Sequence, residues 1–165
     1  MKKDIFMLLV ILTTLSLDTQ GQNLIGTRVQ EFELTDINGN IISSKNTEGK
    51  VVVLNFWFIG CKPCLAEMPE LNTVYNQYKQ NPDVVFASIT LDNLKKVNNN
   101  LDKYNIKYPI VVDGKETCEL FKINGYPTNI VIDKKGNYYL NFTGGFSGIG
   151  TLISKSIQQV LDIDE

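Results

Sequence analysis

Cys61 and Cys64, two cysteines separated by two residues, are the part of this sequence best suited to chemistry. They follow an apolar run that ends at Trp57, which predicts a buried strand, and they open a segment with helical periodicity. A cysteine at a helix N-terminus meets unpaired backbone N–H groups and the positive end of the macrodipole, which stabilise its thiolate. We therefore expect Cys61 to attack a disulfide and Cys64 to resolve the mixed disulfide, with Trp57 packed beside the pair.

Two other uses of this cysteine spacing remain open. The pair can be half of a zinc site, but the chain offers only Cys118 besides and contains no histidine. The pair can also be an inert structural disulfide, which its position between a strand and a helix disfavours. Since histidine is absent, Ser-His-Asp and Cys-His catalysis and His-ligated haem are excluded, and we expect no cofactor and no metal. Cys118 is expected to be a small buried residue, with a regulatory disulfide or a glutathione site as the alternative.

Length and charge narrow the class of protein further. The 165 residues fit one domain, and 43% apolar with 21% charged residues is ordinary for a globular chain. A net charge of −2 argues against nucleic-acid binding, which usually requires a basic surface. We expect a monomer.

The N-terminus has the layout of a secretory signal peptide. Lys2 and Lys3 precede a mostly apolar run over residues 5 to 17, and a polar stretch follows. We place cleavage after Gly21, which gives a signal segment at 1–21 and a mature domain at 22–165. An uncleaved N-terminal anchor and a buried core helix are the alternatives. The expected product is an exported, soluble domain in a compartment that permits disulfides.

Hydrophobic periodicity supplies the elements that position the cysteines. Asn38 and Gly39 predict the turn of an N-terminal β-hairpin. Beyond it we expect strands over 51–57, 84–90, 110–112, 129–133 and 138–142, and helices over 62–79, 94–104, 117–122 and 149–161. This alternation predicts an α/β fold, with a central mixed sheet that has parallel members, helices on both faces and an antiparallel edge.

Two segments carry a family resemblance. Residues 55–69 (NFWFIGCKPCLAEMP) and the Gly-Tyr-Pro-Thr run at 125–128 resemble the thioredoxin superfamily, and are most similar to its TlpA/ResA-like branch of exported thiol-disulfide oxidoreductases. The likeness extends from Gly26 to about Leu161 and implies a thioredoxin-like fold. It also implies that Pro127 is a cis-proline facing the cysteine pair, and that the backbone of Tyr126 binds an incoming substrate strand.

Glu67 is the candidate proton acceptor. It lies three residues after Cys64 and can share that side of the helix. The TlpA/ResA-like branch carries a glutamate at this place, whereas the buried aspartate of thioredoxin is replaced here by Asn55. We expect a partly buried Glu67 with a raised pKa to relay the proton of Cys64. A solvated helix carboxylate is the alternative.

The sequence thus predicts a periplasmic thiol-disulfide oxidoreductase that reduces disulfides in exported proteins. By resemblance, a membrane dithiol donor such as a DsbD-like protein supplies its electrons. The alternatives are a thiol peroxidase, whose usual Pro and Thr or Ser before the cysteine are missing, and a non-catalytic peptide-binding module. The direction of electron flow depends on burial and on hydrogen bonds to sulfur, which the sequence does not reveal.

Overall fold

A five-stranded mixed sheet positions the cysteine pair. The computed structural model describes residues 24–163, so the predicted signal segment at 1–21 lies outside the described residues. Within 24–163, no helix combines the length and apolar character needed to cross a membrane. The elements, in chain order, are β1 (Glu33–Thr35), β2 (Ile41–Ser43), β3 (Val51–Trp57), α1 (Lys62–Tyr78), β4 (Val84–Thr90), α2 (Leu94–Asn98), α3 (Leu101–Tyr104), β5 (Ile110–Val111), α4 (Lys115–Leu120), β6 (Thr128–Ile132), β7 (Tyr138–Thr143) and α5 (Ile149–Leu161).

The central strand of the sheet is β3. The strand order is β5-β4-β3-β6-β7, with β3 parallel to β4 and antiparallel to β6, and with β7 antiparallel to β6. Every residue of β3 is buried, as its nearly continuous apolar sequence predicted. The predicted mixed sheet with an antiparallel edge is confirmed.

Side chains of β3 alternate between two hydrophobic cores, because successive residues of a strand point to opposite faces. Val51, Val53 and Trp57 pack with residues of α1 and α5 on one face. Leu54 and Phe56 pack with residues of α4 and the N-terminal hairpin on the other. Helices therefore cover both faces of the sheet, as predicted.

The N-terminal hairpin forms where Asn38-Gly39 predicted it. Strands β1 and β2 pair antiparallel, and Gly39 adopts a φ of 84°, which favours glycine. The carboxylate of Asp36 accepts the backbone N–H groups of Asn38 and Asn40 at 2.9 and 2.8 Å. The turn is thus fixed by an aspartate as well as by the glycine.

The single helix expected over 94–104 is wrong, because the structure divides it into α2 and α3. The break lies in a run of three asparagines, whose side chains compete with the backbone for hydrogen bonds. The Asn100 amide donates to the backbone carbonyl of Lys96 at 2.9 Å, and Asn100 itself has a φ of −128°. Leu94, placed on the predicted apolar stripe, is 44% exposed.

Candidate active site

The cysteine pair lies at the start of α1. Cys61 is the N-cap residue, and the structure contains a Cys61–Cys64 disulfide with the Cα atoms 5.3 Å apart. The backbone N–H of Cys64 points at the Cys61 sulfur, with nitrogen and sulfur 3.2 Å apart. In the reduced state this donor and the helix dipole would stabilise a Cys61 thiolate. Cys61 is 5% exposed and Cys64 0%, so Cys61 is the more accessible sulfur.

Side chains from a distant part of the chain hold the loop that leads into Cys61. The backbone N–H of Ile59 donates to the Asp92 carboxylate at 2.5 Å, and that of Gly60 donates to the Tyr104 hydroxyl at 2.6 Å. Burial acts to raise the pKa of Asp92, but hydrogen bonds from Lys96, Ile59 and Thr90 outweigh it and lower that pKa. Asp92 is therefore an anionic anchor for the loop at neutral pH.

The predicted cis-proline is present, since the Tyr126–Pro127 peptide bond is cis. Thr128, the next residue, begins β6 and pairs with Phe56 near the end of β3. Because β3 runs on into the cysteine loop, this pairing places Pro127 on the same edge of the sheet. Pro127 is buried and Tyr126 is half-buried.

Glu67 lies on the buried side of α1, as Cys64 does. Its side chain is 2% exposed, which is more complete burial than the sequence suggested. The Asn55 amide donates to Oε1 of Glu67 at 3.0 Å, and the Asn129 amide donates to Oε1 and Oε2 at 3.1 and 3.2 Å. Burial raises the pKa of Glu67 to about 7, with the two amides acting to lower it and the charge of Glu70 acting to raise it. A carboxyl group with that pKa can exchange protons at neutral pH.

Sequence reasoning missed two members of this polar cluster, Asn129 and Tyr108. The Tyr108 hydroxyl donates to Oδ1 of Asn55 at 3.2 Å, and Nδ2 of Asn55 donates to Oδ1 of Asn129 at 2.9 Å. One signal was available: each asparagine lies in a strand rich in apolar residues, and a buried amide needs polar partners. The identity of those partners follows from the sheet pairing and from the packing of α1 and of the segment before β5 against the sheet.

The two other predicted site residues occupy different surroundings. Trp57 is 1% exposed and belongs to the core that contains both cysteines, with its ring centroid 4.9 Å from that of Tyr104. Tyr126 packs edge-on against Phe58 at 5.3 Å between ring centroids, and its hydroxyl is hydrogen-bonded to the Cys118 side chain. Their contact with substrate stays a prediction.

Cys118 is a buried free cysteine in α4. Burial raises the pKa of its thiol, which disfavours the reactive thiolate. Among residues 24–163, no group of three or more Cys, Asp and Glu side chains is arranged to hold a metal ion.

The glycine-rich loop between β7 and α5, over residues 144–148, lies close to the cysteine motif. A Cβ built on Gly145 would lie 3.0 Å from Cβ and 3.2 Å from the carbonyl oxygen of Pro63, so only glycine fits without displacing the motif. The Glu70 carboxylate accepts the backbone N–H groups of Gly148 and Gly150, with a shortest distance of 2.9 Å. Glu70 thereby ties the start of α5 to α1.

These features define a protein with a thioredoxin-like fold and a disulfide-forming cysteine pair. The sequence model of the AhpC/TSA family matches residues 25–138, and the chain belongs to this family. It is 31% identical over 141 residues to the "Thioredoxin-like protein YneN" of Bacillus subtilis, covering 84% of this chain and 79% of that protein. It is 35% identical over 121 residues to the "Thiol-disulfide oxidoreductase ResA" of Bacillus thuringiensis subsp. konkukian, covering 73% of this chain and 70% of that protein.

A solved structure agrees with these relatives. A thiol:disulfide interchange protein of the thioredoxin family from Chlorobium tepidum superposes with a TM-score of 0.70 at 26% identity, covering 82% of this chain and 96% of that one. The expected thioredoxin-like fold is therefore confirmed. The chain is a thiol-disulfide oxidoreductase.

Proposed function

We propose that this oxidoreductase works in the periplasm and reduces disulfide bonds in exported proteins. The observation that carries the proposal is the pairing of a more accessible Cys61 sulfur at the N-cap of α1 with a buried Cys64 and a buried Glu67 on the same helix. This arrangement separates the attacking group, the resolving group and the proton acceptor.

The first step is attack by Cys61. Its thiolate, stabilised at the helix start, attacks one sulfur of the substrate disulfide and forms a mixed disulfide. The other substrate sulfur leaves as a thiolate and takes a proton from solvent. The electron pair that forms the new S–S bond comes from Cys61.

The second step is resolution by Cys64. Its thiol passes a proton to the Glu67 carboxylate, and the resulting thiolate attacks the Cys61 sulfur. The substrate sulfur leaves as a second thiolate, so the substrate gains two electrons and the enzyme gains the Cys61–Cys64 disulfide. Glu67 then returns the proton to solvent or to the leaving thiolate. A dithiol donor of the DsbD type in the membrane restores the reduced enzyme.

The cis-proline, at the start of β6, would align the substrate. The Tyr126 backbone would pair with an extended substrate segment beside Pro127, which brings the scissile disulfide toward Cys61. Trp57 would support the cysteine pair from the core to which all three residues belong.

Mixed-disulfide trapping tests this assignment. Cys64→Ser protein, expressed in the source cells, is expected to accumulate mixed disulfides with exported proteins through Cys61, which mass spectrometry identifies. The matched control is Cys61→Ser/Cys64→Ser, which should trap none. Partners retained by the double variant would instead support a peptide-binding module, and consumption of hydrogen peroxide in place of insulin disulfides would support a thiol peroxidase.

Fractionation tests the location. Under the proposal, the protein is recovered outside the cytoplasm with Gln22 as its first residue, or attached to the membrane if the N-terminal segment is retained. Recovery in the cytoplasmic fraction would contradict the periplasmic assignment.

A further inference from the structure

A chain of hydrogen-bonded polar side chains links α1 to β3 and β6 inside the core. Asn55 on β3 and Asn129 on β6 are register partners in neighbouring strands, and both face Glu67 of α1. Tyr108, just before β5, closes the chain at its far end. All four side chains are at most 4% exposed, so solvent does not replace any of these hydrogen bonds.

The hydrogen bonds of this chain have a direction. Tyr108 donates to Oδ1 of Asn55, since the Met68 thioether, 3.4 Å from the hydroxyl, is the weaker acceptor. With its oxygen occupied, Asn55 turns its NH₂ group toward Glu67 and toward Oδ1 of Asn129. Asn129 then has only its own NH₂ group left for Glu67, and it reaches both carboxylate oxygens. The amides therefore present N–H donors alone to Glu67.

We propose that Tyr108 and Asn129 are positioning residues, which lock the buried amides in the orientation that favours Glu67 as a carboxylate over a carboxylic acid. A carboxylate accepts hydrogen bonds at both oxygens, whereas a carboxylic acid must donate from one of them. Fixed donors on both oxygens therefore favour the ionised form. The consequence for the reaction rests on the proton-relay role proposed for Glu67.

Among the described contacts of Glu67, no positively charged side chain helps to stabilise its carboxylate form. Glu70, on the same helix, acts to raise the pKa of Glu67, and Cys64 is held in the disulfide. Tyr108 stays a neutral donor, since burial and the charge of Glu67 raise its own pKa well above 10. From β3 and β6 only the two neutral amides face the carboxylate, so they are what opposes the effect of burial.

A direct titration of Glu67 tests the proposal. The pKa of its carboxyl group is followed by ¹³C NMR in the disulfide form of the wild type, of Asn129→Leu and of Tyr108→Phe. We expect Asn129→Leu to raise the pKa by about one unit, a tenfold change in the protonation equilibrium, because two charge-assisted contacts are lost. Tyr108→Phe removes one oxygen atom, keeps the ring and is expected to raise the pKa by a smaller step.

The matched control is Tyr75→Phe. Tyr75 packs against the Tyr108 ring, at 5.8 Å between centroids, but its hydroxyl is outside the chain to Glu67. An unchanged Glu67 pKa in Tyr108→Phe, relative to this control, would overturn the proposal even if Asn129→Leu failed to fold.

A rate measurement separates this inference from the proposed function. The pH profile of insulin reduction should shift upward with the Glu67 pKa in both variants. A raised Glu67 pKa with an unmoved profile would support the amide lock and contradict the relay role of Glu67. A pKa that does not move would overturn the amide lock, whatever the profile shows.

Discussion

Replacing Glu67 with glutamine is expected to remove a loss of stability that the wild type suffers as the pH rises. The pKa of Glu67 is raised from 4.5 to about 7 in the folded protein, mainly by burial. Between these values the unfolded chain has released the proton and the folded protein still holds it, so unfolding becomes easier as pH increases. At about 1.4 kcal/mol per pKa unit, the rise in the pKa of Glu67 lowers the free energy of unfolding by about 3 kcal/mol across this pH range.

The assay is urea unfolding of the disulfide form, followed by Trp57 fluorescence at several values between pH 4 and pH 8.5. We predict that the unfolding free energy of the wild type minus that of Glu67→Gln falls by about 3 kcal/mol across this range and levels off above pH 7. Subtraction removes every titration that the two proteins share. Glu31→Gln, which changes an exposed carboxylate, is the matched control for the loss of one carboxylate.

A difference between wild type and Glu67→Gln that stays constant with pH would contradict a raised pKa of Glu67 in the folded protein. It would mean that Glu67 releases its proton at the same pH in the folded and unfolded states. Burial would then not have prepared Glu67 for proton exchange at neutral pH.

Three further predictions concern the surroundings of the cysteine pair. Gly145→Ala places a methyl group 3.0 Å from Cβ of Pro63, so we expect about 1 kcal/mol of destabilisation in urea unfolding. Ser147→Ala is the control and should keep wild-type stability. Wild-type stability of Gly145→Ala would contradict the close approach of the loop to Pro63. Tyr104→Phe removes the acceptor of the Gly60 N–H and should cost about 1 kcal/mol in the same assay, whereas no loss would show that water replaces the hydroxyl. Cys118, buried and with a raised pKa, should react with iodoacetamide at pH 8 far more slowly in the folded protein than in urea; equal rates would contradict its burial.

Local sequence patterns were sufficient for the strands and for the reactive pair. The nearly continuous apolar run of β3 specifies a strand covered on both faces, and the break at Gly60 leads directly into Cys61. The three-residue spacing of Cys64 and Glu67 places both on the buried side of α1. These relations depend on neighbours along the chain, which is why periodicity detects them.

The rest of the site depends on contacts between distant residues. Asn129 lies 62 residues from Glu67 in the sequence, and Tyr104 lies 44 residues from Gly60. Such pairs form because sheet order and helix packing bring the elements together, and no local spacing encodes them. The division of the helix expected over 94–104 is a different failure, since asparagine side chains there overrode a weak apolar stripe.

The equilibrium reduction potential of the Cys61–Cys64 pair shows whether the enzyme reduces protein disulfides, as proposed. Titration of the purified protein against glutathione or dithiothreitol buffers, with the oxidised fraction read by mass spectrometry, gives this potential. A reductase of protein disulfides should show a value below about −220 mV, toward the thioredoxin end of the known range. A value near about −120 mV would mark an enzyme that introduces disulfides and would contradict the proposed direction of electron flow.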